Sequence, residues 1–179
     1  MKLYVMRHGP AEDEAPDGLD HSRALTVSGR ERVRWVAKKL GELGEAPRFV
    51  VASPLVRALQ TAEVVHTTLG LESAVEAHTA LAPGGAGSAF VLAMQKAGKK
   101  RPMVVGHEPD VSILCARLLG SPLPHGFLKG MVVSLRVDVD VPGGAPTVGL
   151  RFVLDPKTLE LLADHRGART PAPRSSRGA

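Results

Sequence analysis

The apolar run Leu3-Tyr4-Val5-Met6 and its abrupt end at Arg7-His8-Gly9 constrain this chain more than any other feature. A short apolar run that stops at glycine reads as a buried strand delivering its last residues to a loop. In a parallel α/β sheet, ligands bind just beyond the carboxyl ends of the strands. The strand therefore sets a guanidinium and an imidazole side by side at the mouth of a crevice. Arginine is a fork of donors suited to phosphate oxygens, and histidine can act as base, acid or nucleophile. Alone the tripeptide is a weak signal, because it arises often by chance.

Two further strand ends strengthen it. Phe49-Val50-Val51-Ala52 runs into Ser53-Pro54-Leu55-Val56-Arg57-Ala58-Leu59-Gln60-Thr61-Ala62. Serine is a good N-cap and proline suits the first helical position, so the sequence predicts a helix over 54–69 that starts at the strand's end. Arg57 then lies in the opening turn, where the helix dipole repels a cation unless an anion sits there. The third run, Met103-Val104-Val105, closes in Gly106-His107. Two arginines, two histidines and a helix start converging on one crevice describe a phosphoryl site.

These residues resemble the histidine phosphatase superfamily: the Arg-His-Gly start, the Ser-Pro-x-x-Arg-Ala-x-x-Thr-Ala segment and the later Gly-His. The chain is most similar to the superfamily's small phosphohistidine phosphatase (SixA-type) branch. That branch also carries an Asp-x-x-Arg-x-Leu-Thr-x-x-Gly segment, here Asp20-His21-Ser22-Arg23-Ala24-Leu25-Thr26-Val27-Ser28-Gly29. The resemblance covers Met1 to about Leu162. It implies a phosphoglycerate mutase-like fold and a metal-independent phosphatase without cofactor. It makes His8 the nucleophile that becomes a phosphohistidine, with Arg7, Arg57 and His107 completing the catalytic and phosphate-binding set. Arg23 either closes over the phosphate or pairs with the acids of its own loop. The implied substrate is a phosphohistidine-containing protein or a small phosphorylated molecule.

Superfamily members that cleave alkyl phosphates resemble one another in an acid after the strand near residue 78. Here that stretch reads Leu81-Ala82-Pro83-Gly84, with Pro83 where the acid would stand. Imidazole leaves without much help, whereas an alkoxide needs a proton. Phosphohistidine is therefore the expected substrate class, with a general phosphomonoesterase or mutase as the alternative and a non-catalytic phosphoryl-binding module as a third reading. Glu108 and the loop acids Glu12, Asp13, Glu14, Asp17 and Asp20 are the candidates for a substitute donor.

Composition narrows the remaining classes. A chain of 179 residues with 44% hydrophobic residues is expected to form one domain with a real core. Aromatics are 3% of the chain, so stacking platforms for bases are lacking. The net charge of +5 is concentrated at the end: Arg166, Arg169, Arg174 and Arg177 supply +4 of it. Residues 165–179, rich in Pro, Gly and Ser, are therefore read as a basic disordered tail behind a domain over 1–164, and no nucleic-acid partner is expected. No apolar stretch is long enough to span a bilayer, no signal-peptide pattern opens the chain, and the cytoplasm is the expected compartment. Cys115 falls in an apolar helical stripe and reads as core. The other histidines, His21, His66, His78, His125 and His165, show no metal-ligand spacing. Gly84-Gly85-Ala86-Gly87 lacks the ending of a nucleotide loop and reads as a connector, and Ser53 lacks the nucleophile elbow of a serine hydrolase.

Strands are expected over 2–7, 48–52, 74–77 and 102–106. Helices are expected from Thr26, burying Val33, Val36, Ala37, Leu40 and Leu43, and over 54–69, burying Leu55, Leu59, Ala62, Val65 and Leu69. Two more follow: one with Phe90, Val91 and Met94 inside, and one over 110–119. Two alternating runs, Val133/Leu135/Val137/Val139 and Val148/Leu150/Phe152/Leu154, predict an antiparallel hairpin turning at Pro142-Gly143-Gly144. The expected fold is a three-layer α/β/α sandwich on a mixed, mostly parallel sheet.

Overall fold

The first strand, β1 (Lys2–Arg7), buries all four of its internal residues and lies at the middle of a seven-stranded sheet. The structure, a computed structural model, describes residues 1–138 and 146–166. The remaining strands are β2 (Phe49–Ala52), β3 (Glu76–Ala77), β4 (Pro102–Gly106), β5 (Val132–Asp138), β6 (Thr147–Leu154) and β7 (Leu161–Asp164). The helices are α1 (Val27–Glu42), α2 (Val56–Leu69), α3 (Gly87–Lys96) and α4 (Asp110–Leu119). The strand order is β3-β2-β4-β1-β5-β6-β7, parallel from β3 to β1 and antiparallel from β1 to β7. Strand β7 adds one antiparallel strand beyond the expected hairpin. The hairpin's turn, with Val139, lies outside the described residues.

Helices cover both faces of the sheet, which gives the three-layer sandwich. Val33, Val36, Ala37 and Leu40 of α1 and Ala58, Ala62 and Val65 of α2 pack against Tyr4, Met6, Met103 and Phe152. On the other face Val91 and Met94 of α3 and Val111, Leu114 and Cys115 of α4 pack against Leu3, Val5, Val104 and Leu135. Cys115 is core, and burial pushes its thiol pKa up. Leu43, Leu55, Leu59, Phe90 and Leu69 are half-buried rather than core. Among the described residues no helix is long and apolar enough to cross a membrane.

The expected alternation in β6 fails at one point. Ser134 pairs with Phe152 but Leu135 pairs with Leu150, so Arg151 is the extra residue of a β-bulge. A bulge turns the side chains that follow onto a new face. Val148 and Leu150 therefore pack with the α3/α4 layer, and Phe152 and Leu154 with the α1/α2 layer. Arg151 is buried, and its two terminal nitrogens lie 2.9 and 2.7 Å from the Glu45 carboxylate. Tyr4 Oη donates to the same carboxylate at 2.8 Å, and Arg151 also donates to Ser134 Oγ at 2.9 Å.

The loop that carries the nucleophile candidate is seated on α1 by two glycines. A Cβ on Gly29 would stand 2.0 Å from the Pro10 carbonyl oxygen, and one on Gly9 would stand 2.6 Å from Val33 Cγ2. The Thr26 N–H donates to that same Pro10 carbonyl at 3.1 Å, and Thr26 Oγ1 caps α1 by accepting from the Gly29 N–H at 2.9 Å. The Arg-His-Gly and Leu-Thr-x-x-Gly segments are thus two sides of one close backbone contact.

Candidate active site

Parallel pairing of β2, β4 and β1 places their carboxyl ends side by side, so the residues that follow them meet at one edge of the sheet. The His8 N–H donates to the Gly106 carbonyl at 3.0 Å, and the Ser53 N–H to the Val105 carbonyl at 2.9 Å. The rings of His8 and His107 consequently lie with centroids 5.1 Å apart, both buried. Arg57 reaches them from the first turn of α2. Thr61, one turn on, accepts from the Gly9 N–H at 3.0 Å and donates to the Arg57 carbonyl at 2.7 Å, locking that turn to the loop that carries His8. Arg7, His8, Arg57 and His107 are therefore brought together.

The helix start differs from the expectation. α2 begins at Val56 behind Leu55, and Ser53 does not cap it. Ser53 is fully buried, with Oγ 2.8 Å from His107 Nε2. The same Oγ accepts from the Leu55 N–H at 3.3 Å.

Burial governs the electrostatics. The His8 imidazole is pushed down to about 3, by burial first and with further lowering from His107, Arg57 and Arg7, against a raising contribution from its bond to Gly9. His107 is pushed down to about 4, again mainly by burial, then by Arg57. Both rings are neutral at pH 7. His8 Nδ1 lies 2.7 Å from the Gly9 carbonyl. A carbonyl can only accept, so Nδ1 carries the proton and Nε2 is left with a free lone pair.

Four buried side-chain nitrogens have no hydrogen-bond partner among the described residues. Two of them, Arg7 Nε and His107 Nδ1, belong to this site, the others being on Arg101 and Arg151. Buried polar groups are almost always hydrogen-bonded, so this pair marks a seat for a ligand with acceptor oxygens. Arg7 is held from behind: Nη1 donates to the Phe127 carbonyl at 2.7 Å, and the Phe127 N–H donates to Glu108 Oε1 at 2.9 Å. Glu108 Oε1 also accepts from Ser112 Oγ at 2.7 Å. Glu108 thus supports Arg7.

Arg23 stands one step back. Its Nη1 donates to Asp20 Oδ1 at 2.8 Å and its Nε to the Glu12 carbonyl at 2.7 Å. Asp20 also holds Arg57, and the two guanidiniums, Arg23's first, keep its carboxyl below the usual range. Ser53 and Thr61 are site residues that the sequence did not single out as such, although both stand inside a motif already noted, and Asp20, one of the candidate donors, instead holds Arg57. Among the described residues no group of three His, Cys, Asp or Glu side chains forms a metal cluster.

Comparison with known proteins is decisive on descent. Phosphohistidine phosphatase SixA of Escherichia coli is 35% identical over 142 residues, spanning 77% of this chain and 86% of its own. The chain belongs to the histidine phosphatase superfamily. The superfamily's branch 1 model matches residues 3–82. An uncharacterized protein of Picosynechococcus sp. is 37% identical over 76% of this chain and 85% of its own. The protein histidine phosphatase SixA complexed with tungstate superposes with a TM-score of 0.78 at 31% identity, covering 89% of this chain and all of that one. A mycobacterial glucosyl-3-phosphoglycerate phosphatase shares the fold at 21% identity and a TM-score of 0.63. This superfamily phosphatase has the phosphoglycerate mutase-like fold of SixA, and that fold is shared by proteins named for a phosphohistidine and for a phosphate ester.

Proposed function

We propose that this phosphatase hydrolyses phosphohistidine, in a protein or in a similarly activated small molecule, through a covalent phosphohistidine on His8. The observation that carries the chemistry is the His8 tautomer, with Nδ1–H committed to the Gly9 carbonyl and a neutral Nε2 free at pH 7. Nε2 attacks phosphorus in line, the bond from phosphorus to the leaving nitrogen or oxygen breaks, and water then attacks the phosphorus of the enzyme intermediate to release inorganic phosphate. Arg7, Arg57 and His107 face the three non-bridging oxygens and spread their charge, so the step needs no metal.

The leaving group decides the substrate class. Pro83 is exposed and offers no proton, and the Oε1 of Glu108 already accepts two hydrogen bonds. Asp110 Oδ1, near His107, accepts from the Gly84 N–H at 3.2 Å. A leaving imidazole manages without a general acid, whereas an alkoxide loses about 10²–10⁴-fold without one. SixA, the relative matched over most of both chains, is a phosphohistidine phosphatase by name.

The test is to trap the intermediate. Brief incubation with a labelled phosphoryl donor should leave label on His8 that is lost in acid and survives alkali, the behaviour of a phosphoramidate. His8→Ala should abolish both label and turnover while the protein stays folded. Near-wild-type turnover by His8→Ala would sink the mechanism. Activity should also withstand EDTA, because arginines fill the electrostatic role.

A further inference from the structure

We propose that Ser53 is a positioning residue that holds His107 in the tautomer with its proton on Nδ1, aiming that N–H at a phosphoryl oxygen. The inference rests on the reading of His107 as a phosphoryl ligand. It starts from the strand register. β2 and β4 are parallel neighbours with Ala52 opposite Val105, so the residues just beyond them, Ser53 and His107, meet across the sheet's edge. Both are buried, and Ser53 Oγ lies 2.8 Å from His107 Nε2.

Counting protons settles which way that bond runs. A serine hydroxyl has one proton to give and two lone pairs to offer. The Leu55 N–H donates to Ser53 Oγ at 3.3 Å and uses a lone pair. For the hydroxyl proton, His107 Nε2 is the acceptor the described residues supply. A buried hydroxyl that kept its proton unpaired would carry the full cost of desolvation. So Ser53 donates, Nε2 accepts, and the single proton of the neutral ring stands on Nδ1.

That nitrogen is buried and has no hydrogen-bond partner among the described residues. The ring it belongs to lies beside the His8 ring, where the phosphoryl group must be bound for Nε2 of His8 to attack it. In the opposite tautomer Nδ1 would present a lone pair to anionic oxygens and repel them. Because burial and the Arg57 charge hold the ring neutral at pH 7, tautomer rather than net charge decides whether His107 attracts the phosphoryl group. The serine that looks in sequence like a helix cap thus acts on the chemistry through its neighbour.

Nitrogen-15 spectra of histidine-labelled enzyme, recorded without substrate at pH 7, read the tautomer directly. In the wild type, His107 should show a bonded proton on Nδ1 and a bare Nε2. Ser53→Ala should move proton density to Nε2, lower kcat on an aryl phosphate by about ten- to a hundredfold, and weaken inhibition by inorganic phosphate to a similar degree. Ser53→Thr keeps the hydroxyl and should retain the wild-type spectrum and most of the rate. A wild-type ring protonated on Nε2 overturns the proposal, and needs no variant to show it. So does a Ser53→Ala protein whose tautomer and turnover match the wild type. Wild-type turnover by His107→Ala would instead overturn the reading on which the proposal rests, and the resting spectrum keeps the two failures apart.

Discussion

Asp20 and Arg57 hold each other twice. Arg57 Nη1 donates to the Asp20 carbonyl at 2.7 Å and Nη2 to its carboxylate at 3.0 Å. The arginine is buried, its side chain 8% exposed, while the aspartate is 63% exposed. The loop after β1 therefore reaches over to orient a guanidinium that α2 has already carried into the crevice.

This geometry ranks the arginines. Arg57 lies in the crevice itself, whereas Arg23 meets it through Asp20. Arg57→Ala should lower kcat/KM by about 10²–10³-fold, the usual loss for a donor to developing charge. Arg23→Ala should cost less than about tenfold, as an exposed pair acting at one remove. Steady-state kinetics on one aryl phosphate decide it, and equal losses from the two variants would place Arg23 on the phosphoryl group.

The two site histidines should be silent in the range where histidine ordinarily titrates. With His8 near 3 and His107 near 4, neither imidazole should show a midpoint between pH 5.5 and 7.5 in an NMR titration of the resting enzyme. A midpoint of about 6.5 in either ring would contradict the burial described. As pH falls below about 6.5, the unfolded chain binds these protons before the folded one does. Stability should therefore decline from there down to about 4 for His107 and about 3 for His8.

Glu45 belongs to stability alone. Although burial raises it, hydrogen bonds from Arg151 and Tyr4 bring its carboxyl down to about 2. Its contribution is complete above the unfolded value of roughly 4.3 and fades as pH falls toward about 2. Glu45→Ala strands a buried guanidinium, and breaking such a pair costs about 3–5 kcal/mol. Denaturant unfolding at pH 7 should show a loss of that order, with kcat of the folded enzyme unchanged.

Leaving-group dependence tests the substrate class separately from the nucleophile. Phosphohistidine and aryl phosphates with acidic phenols should turn over faster than phosphoserine or 3-phosphoglycerate by about 10²–10⁴-fold. Equal rates would point to an unrecognised acid, with Asp110 and Glu12 the first to substitute.

The parts of this molecule that follow local rules were readable from the chain. β1, α1 with its Thr26 cap, β4 and α4 fall where apolar periodicity and capping chemistry place them, and the three strand-end motifs meet as sheet topology requires. What escaped depended on tertiary neighbours. Ser53 has every local mark of an N-cap, but a histidine across the strand ends claims its hydroxyl. Arg151 looks like the polar face of an alternating strand until the bulge turns it toward Glu45, a residue 106 positions away. The depressed pKa of His8 owes more to burial than to the neighbouring arginines, and burial is a property of the whole packing. Of the segment read as a basic tail, two residues are described: the His165 N–H donates to the Arg151 carbonyl at 2.6 Å and Arg166 pairs with Asp164, while residues 167–179 lie outside those described.

The clasp between Pro10 and Thr26 separates two jobs that the loop after β1 must perform. Ala11 bridges to Leu25 and the Pro10 carbonyl receives the Thr26 N–H, so residues 12–24 leave and re-enter the fold at nearly one point. Whatever lies between those ends hangs from a closed neck, and lengthening such a loop adds closure entropy only slowly. Gly9, the residue after His8, packs against Gly29 and Val33 on the inner side of the neck. Exchanging the excursion would therefore remove Asp20 and its hold on Arg57 while leaving the seat of the His8 loop on α1 in place.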